Sequence, residues 1–160
     1  MNVSNKFIIA GGIIMRCISA YLWELKEVHM KIQNEPLTKE EQEEIIRAYN
    51  QVVNLCRTAD TSGIEIFDMQ RMKLSQKNCE RILFEFAGYV ANYTKPGLFE
   101  EAAFSRLLTL QVPQTYEILI YLIYLRGMYF LSAELDYISI GVQLRAMLPE
   151  EIAVKIEEEA

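Results

Sequence analysis

The sequence predicts an all-α chain, a single-domain bundle of about five to seven helices around one central apolar helix. Three observations carry that expectation. All four prolines, Pro36, Pro96, Pro113 and Pro149, stand where a helical pattern starts or stops. Between them apolar residues recur about every 3.6 residues, and no sustained period-2 stretch is bounded by turn residues. The length of 160 residues, 51% apolar and 24% charged, suits one domain spanning 1–160 with a core that needs no disulfide or metal.

The first helix is expected over about 4–32. Phe7, Gly11, Ile14, Ile18, Tyr21, Leu25, Val28 and Ile32 alternate in steps of four and three, which is the seam of a packed helix. Gly11 and Gly12 interrupt it and mark either a close helix approach or a break. The apolar run from Phe7 to Met15 imitates a signal peptide. Arg16 follows at once without a clean small-residue cleavage site, and the run is too short to span a bilayer. Thr38-Lys39-Glu40-Glu41 has the form of a capping box and should open a second helix. Its stripe is Ile45, Ile46, Tyr49, Val52, Val53 and Cys56, closed by a polar loop from Thr58 to Gly63.

The stretch 64–74 fits neither period fully and is read as a short helix. After Ser75 as N-cap, Cys79, Ile82, Leu83, Phe86, Ala87 and Val90 define another helix, ending at Lys95-Pro96-Gly97, and Phe99 to Leu110 forms a shorter one. The strongest signal is 114–147. Ile118 to Ala133 holds one charge, Arg126, and is apolar on every face, which suits only a helix surrounded by others. Its continuation narrows to Leu131, Leu135, Ile138 and Val142, with Gly127 or Gly141 as possible dividing points. From Pro149 a short acidic tail carries five Glu and one Lys, four of the six net negative charges, and Glu157 to Glu159 oppose the helix dipole and should fray.

A net charge of −6 disfavours nucleic acid and anionic membranes as partners. Cys17, Cys56 and Cys79 are far apart and odd in number, which reads as reduced thiols in the core of a cytoplasmic protein. His29, the sole histidine, is an ordinary boundary residue. Phosphate-cradling glycine loops, dinucleotide fingerprints and hydrolase elbows are missing, and no cofactor is expected.

One acidic constellation stands out. Glu41-x-x-Glu44 is followed after twenty residues by Glu65-x-x-Asp68, and paired carboxylates on adjacent helices are what a magnesium site for a nucleotide triphosphate would use. The spacing resembles the signature of the all-α NTP pyrophosphatases, the MazG-like family. That resemblance covers under a fifth of the chain and implies magnesium-ligand roles for Glu41, Glu44, Glu65 and Asp68. The bland reading of the same residues is a capped, solvated helix start.

With no catalytic constellation in its apolar stripes, the chain reads first as a non-catalytic interaction or assembly module, of the adaptor, inhibitor, chaperone or coat-subunit kind. Five of the nine tyrosines follow residue 115, and tyrosine is enriched in interface cores. Ile14, Ile18, Tyr21, Leu25, Tyr121 and Tyr124 are the candidate contact residues, for a protein partner or for a second copy in a homo-oligomer.

Overall fold

The computed structural model describes residues 13–67, 78–92, 95–111 and 113–159, with side chains from residue 21 in the first stretch and from 79 in the second. Among the described residues there are seven helices and no strand. They are α1 (Ile13–Asn34), α2 (Lys39–Ser62), α3 (Asn78–Ala91), α4 (Pro96–Leu108), α5 (Thr115–Ser132), α6 (Tyr137–Ala146) and α7 (Glu150–Glu159). The apolar run predicted at the centre is there. α5 packs against α1, α2, α3, α4 and α6, while α7 lies on α2. Leu119 to Leu125, Gly127, Met128 and Leu131 are all buried, so the residues of α5 that face outward in an ordinary helix are here covered by neighbours.

α2 starts as its capping box dictates. The Thr38 N–H donates to Glu41 Oε2 at 2.7 Å and the Glu41 N–H donates to Thr38 Oγ1 at 3.2 Å. Its apolar stripe is buried, with Val53 half-buried, but the polar loop expected from Thr58 is a further turn and more of helix ending at Gly63. Burial of Ala59 in the core carries the helix on through Thr58 and Thr61, whose hydroxyls donate back to the carbonyls of Asn54 and Arg57. Gly63 ends it at φ 84°, a positive value that glycine adopts readily.

Other boundaries move for equally local reasons. α3 ends at Ala91, and Pro96 does not close it but opens α4 as the first helical residue, where a missing N–H costs nothing. Residues 64–67 form a turn and a short helical step. The remainder of the predicted 64–74 helix, Ser75, and Phe7, Gly11 and Gly12 lie outside the described residues.

The 114–147 run divides, though at neither glycine. The Leu135 N–H donates to Phe130 O and the Glu134 N–H to Leu131 O, both at 3.0 Å, with Glu134 at φ 64° in the left-handed conformation. This is a Schellman termination with glutamate where glycine is usual. Asp136 then caps α6 by accepting from the Ser139 N–H at 2.9 Å. The break resets the helical phase. Ile140, Gly141 and Leu144 face the core, while Ile138 and Val142, expected to continue the stripe, are 64% and 52% exposed. The acidic tail is also more than a tail: Ile152 and Ile156 anchor α7, Lys155 donates to Gln42, and Glu157 pairs with Arg145 at 3.5 Å.

Candidate functional site

Of the four carboxylates of the magnesium reading, three are described, and Glu41 and Glu44 are not brought to Glu65. Glu41 and Glu44 sit in the first two turns of α2, and Glu65 follows its far end. At the helical rise of about 1.5 Å per residue, about 27 Å of α2 separates Glu44 from Ser62. One cation cannot span that, since its oxygen ligands lie within about 2.6 Å of it. Glu41 serves the cap and Glu44 holds Arg47 at 2.7 Å. Asp68 lies outside the described residues, and among the described residues no group of three His, Cys, Asp or Glu could hold a metal.

The contact residues expected on the first helix divide differently. Tyr21 is buried and Leu25 half-buried, both turned towards the core along with Val28 and Ile32, while the side chains of Ile14 and Ile18 lie outside the described residues. Tyr121 and Tyr124 are interior too. Cys79 Sγ donates to Tyr121 Oη at 3.7 Å, and Tyr124 Oη donates to Gln51 Oε1 at 3.2 Å. Burial raises the pKa of both hydroxyls, so these rings occupy the α2–α3–α5 junction as neutral phenols. The short helices do cover α5, and no tyrosine of this pair is left on the surface.

What the structure puts outside instead is the opposite face of α1. Leu22, Trp23 and Met30 are 56%, 50% and 48% exposed. At about 100° per residue they fall within one arc of about 100°, centred opposite the buried Tyr21–Val28–Ile32 line. Lys26 and Gln33 share that arc, so the outer face of α1 is mixed, with three large apolar side chains exposed among polar ones. The sequence signal was present in the spacing of Trp23 and Met30, but the stronger four-three seam on the other face concealed it. α4, which packs beside α1, carries further exposed apolar residues at Leu98 and Leu108.

Beneath α1 lies the most unusual polar feature of the core. Glu100 on α4 is fully buried and accepts from Arg126 Nη1 of α5 at 3.2 Å. The guanidinium carbon of Arg126 stands 4.4 Å from the Tyr21 ring centroid and 4.7 Å from those of Tyr129 and Phe130. This aromatic cage explains how the one charge beyond the first turn of α5 is tolerated. Burial pushes the Tyr21 phenol up to about 12 and raises the Glu100 carboxyl against the opposing pull of Arg126.

The other polar candidates have structural duties. His29 Nε2 donates to Met147 O at 2.8 Å and Tyr21 Oη to Met147 Sδ at 3.3 Å, fastening α1 to the α6–α7 corner. Cys56 is fully buried and its thiol is pushed up to about 12, so it is inert packing. A cleft of about 350 Å³ between α2 and α3 is lined by Gln51, Asn54, Leu55, Thr58, Glu80, Leu83 and Phe84. Its Gln51 amide already donates to Glu80 at 2.9 Å while its oxygen takes the Tyr124 hydroxyl.

No family model, curated protein or solved structure matches the chain. Among the described residues no helix is long and apolar enough to cross a membrane.

Proposed function

We propose that the chain is a non-catalytic helical interaction module that meets a protein partner, a second copy of itself first of all, through the outer face of α1. The observation that carries this reading is the exposed trio Leu22, Trp23 and Met30 on a helix whose opposite face is already committed to the core. Trp and Met are enriched where proteins bind, and a large aromatic side chain half in water gains most from a partner's cover. Apart from Glu100 Oε2, the interior polar side chains described above are engaged with one another, which supports binding over catalysis. Net charge argues for a protein over nucleic acid.

Light scattering on the wild type and on Trp23→Asp tests it. The wild type is expected to exceed the 18.6 kDa of one chain at micromolar concentration, and the variant to return to that mass with its helical spectrum unchanged. A wild-type mass of one chain throughout that range overturns self-association, and association that survives Trp23→Asp places the contact elsewhere.

A further inference from the structure

We propose that Glu100 makes the docking of α1 on the bundle proton-linked, so that α1 holds most firmly when this carboxyl is protonated and loosens as the pH rises. The inference goes beyond the binding role suggested for α1 and does not depend on it. It rests on the arrangement of one buried pair. Glu100 is fully buried, yet it has one hydrogen bond, from Arg126, and among the described residues its Oε2 has no hydrogen-bond partner. A carboxylate shut off from solvent with one of its oxygens unpartnered is costly, whereas the neutral acid is much less so.

Arg126 does not depend on Glu100 alone. Its charge is spread over the faces of Tyr21, Tyr129 and Phe130 and is 14% exposed, so it tolerates a neutral Glu100. Among the described residues no other group around the pair supplies a second compensating charge. From α1 the facing group is Tyr21, neutral with a pKa of about 12. From α3, Glu85 is taken by Arg106 of α4 at 2.7 Å, and Tyr89 meets α4 through Phe99. Burial therefore prevails and lifts the Glu100 carboxyl above its ordinary value of 4.5.

α1 is the cover over this pair. It packs on α4 and α5, and its Tyr21 lies on Arg126. When α1 swings away, water reaches Glu100 and its affinity for the proton returns to the ordinary one. The docked state thus binds the proton more tightly than the open state. By linkage the proton's contribution to docking is complete below 4.5 and is lost as the pH rises through the raised value of the docked carboxyl.

Two measurements on the full chain test this. Carbon-13 NMR of the glutamate carboxyls, with Glu100 assigned by its loss in Glu100→Gln, is expected to show that carboxyl titrating above the ordinary range. Hydrogen exchange, corrected for intrinsic rates, is expected to show the protection of residues 21–34 falling relative to α5 over the window between 4.5 and that titration midpoint, by at most about tenfold per pH unit. Glu100→Gln should hold that protection constant at the wild type's acidic level. An ordinary or lowered Glu100 titration, a flat wild-type profile, or a slope that persists in Glu100→Gln overturns the proposal. Should Glu100→Gln fail to fold, a fall in the wild type's α1 protection that lies outside the window between 4.5 and its own Glu100 titration midpoint does the same.

Discussion

α5 and α6 are two parts of one apolar run, and both lie on α2, yet they meet it in different ways. α5 is enclosed on all sides and comes so close to α2 that a Cβ on Gly127 would stand 2.2 Å from Val52 Cγ1. α6 presents one face, and a Cβ on Gly141 would meet the Tyr49 hydroxyl at 3.2 Å. The residues opposite decide what each glycine means. Val52 is fully buried, β-branched and stiff, whereas Tyr49 offers the far end of a side chain that can tilt. A glycine inside a helix costs about 1 kcal/mol relative to alanine. At Gly127 close packing repays that cost. Gly141 returns much less.

The largest effect should follow from breaking the closer contact. Gly127→Ala forces a methyl into Val52 and is expected to destabilise by about 2 kcal/mol even after the gain in helix propensity. Urea denaturation gives the change directly. Val52→Ala in the same chain should relieve much of it, so that the double variant is less destabilised than the two single changes add up to. Full additivity would mean that the clash is absorbed by the backbone and not by Val52.

The link between the two helices is the next place to look. Two hydrogen bonds from Ser139 to Asp136, backbone first and hydroxyl second, hold the Asp136 carboxyl below the usual carboxylate range. The cap's contribution is therefore present above the unfolded-state pKa and is lost as the pH falls through the lowered one. Asp136→Asn keeps the acceptor and loses the titration. Melting curves at neutral and acidic pH should show a smaller acid-side fall in Tm for the asparagine variant than for the wild type. An equal fall in both would place the acid sensitivity elsewhere.

Glu134 has a smaller effect of opposite sign. It occupies a left-handed position at φ 64° that disfavours any residue with a Cβ. Glu134→Gly should raise stability by about 0.5 kcal/mol, the relief of strain being partly offset by the freer unfolded chain. A loss on urea titration would show that the glutamate side chain contributes more than its backbone costs.

The course of the fold was legible where apolar spacing and capping chemistry agreed. Thr38 with Glu41 announced α2, and the unbroken apolar run from Ile118 announced a helix enclosed by others. The break before Asp136 was harder to see, because Glu134 adopts a conformation that sequence associates with glycine, and the glycines nearby serve packing instead. The candidate site was misread for a related reason. Helical periodicity names an apolar stripe without saying what covers it, so Tyr121 and Tyr124 read equally as contact residues or as interior ones, and the Trp23 face passed unnoticed. The Glu100–Arg126 pair was invisible, since its partners lie 26 positions apart on different helices.

The smallest expected effect belongs to Gly141, and it tests whether the two glycines differ as their neighbours suggest. A methyl at this position needs Tyr49 Oη to retreat by a few tenths of an ångström from 3.2 Å, and Val53 Cγ2 at 3.7 Å is already at ordinary contact distance. Tyr49 Oη donates to Gly141 O at 3.2 Å, a long bond that a small tilt of the ring weakens without breaking. Against this stands the helix-propensity gain of about 1 kcal/mol from replacing glycine with alanine. Gly141→Ala should therefore leave stability within about 0.5 kcal/mol of the wild type. The urea midpoint, read at an unchanged slope, measures it. A loss as large as that of Gly127→Ala would mean that Tyr49 is held as rigidly as Val52. In that case α6 would be locked to α2 as tightly as α5 is, despite its open outer face.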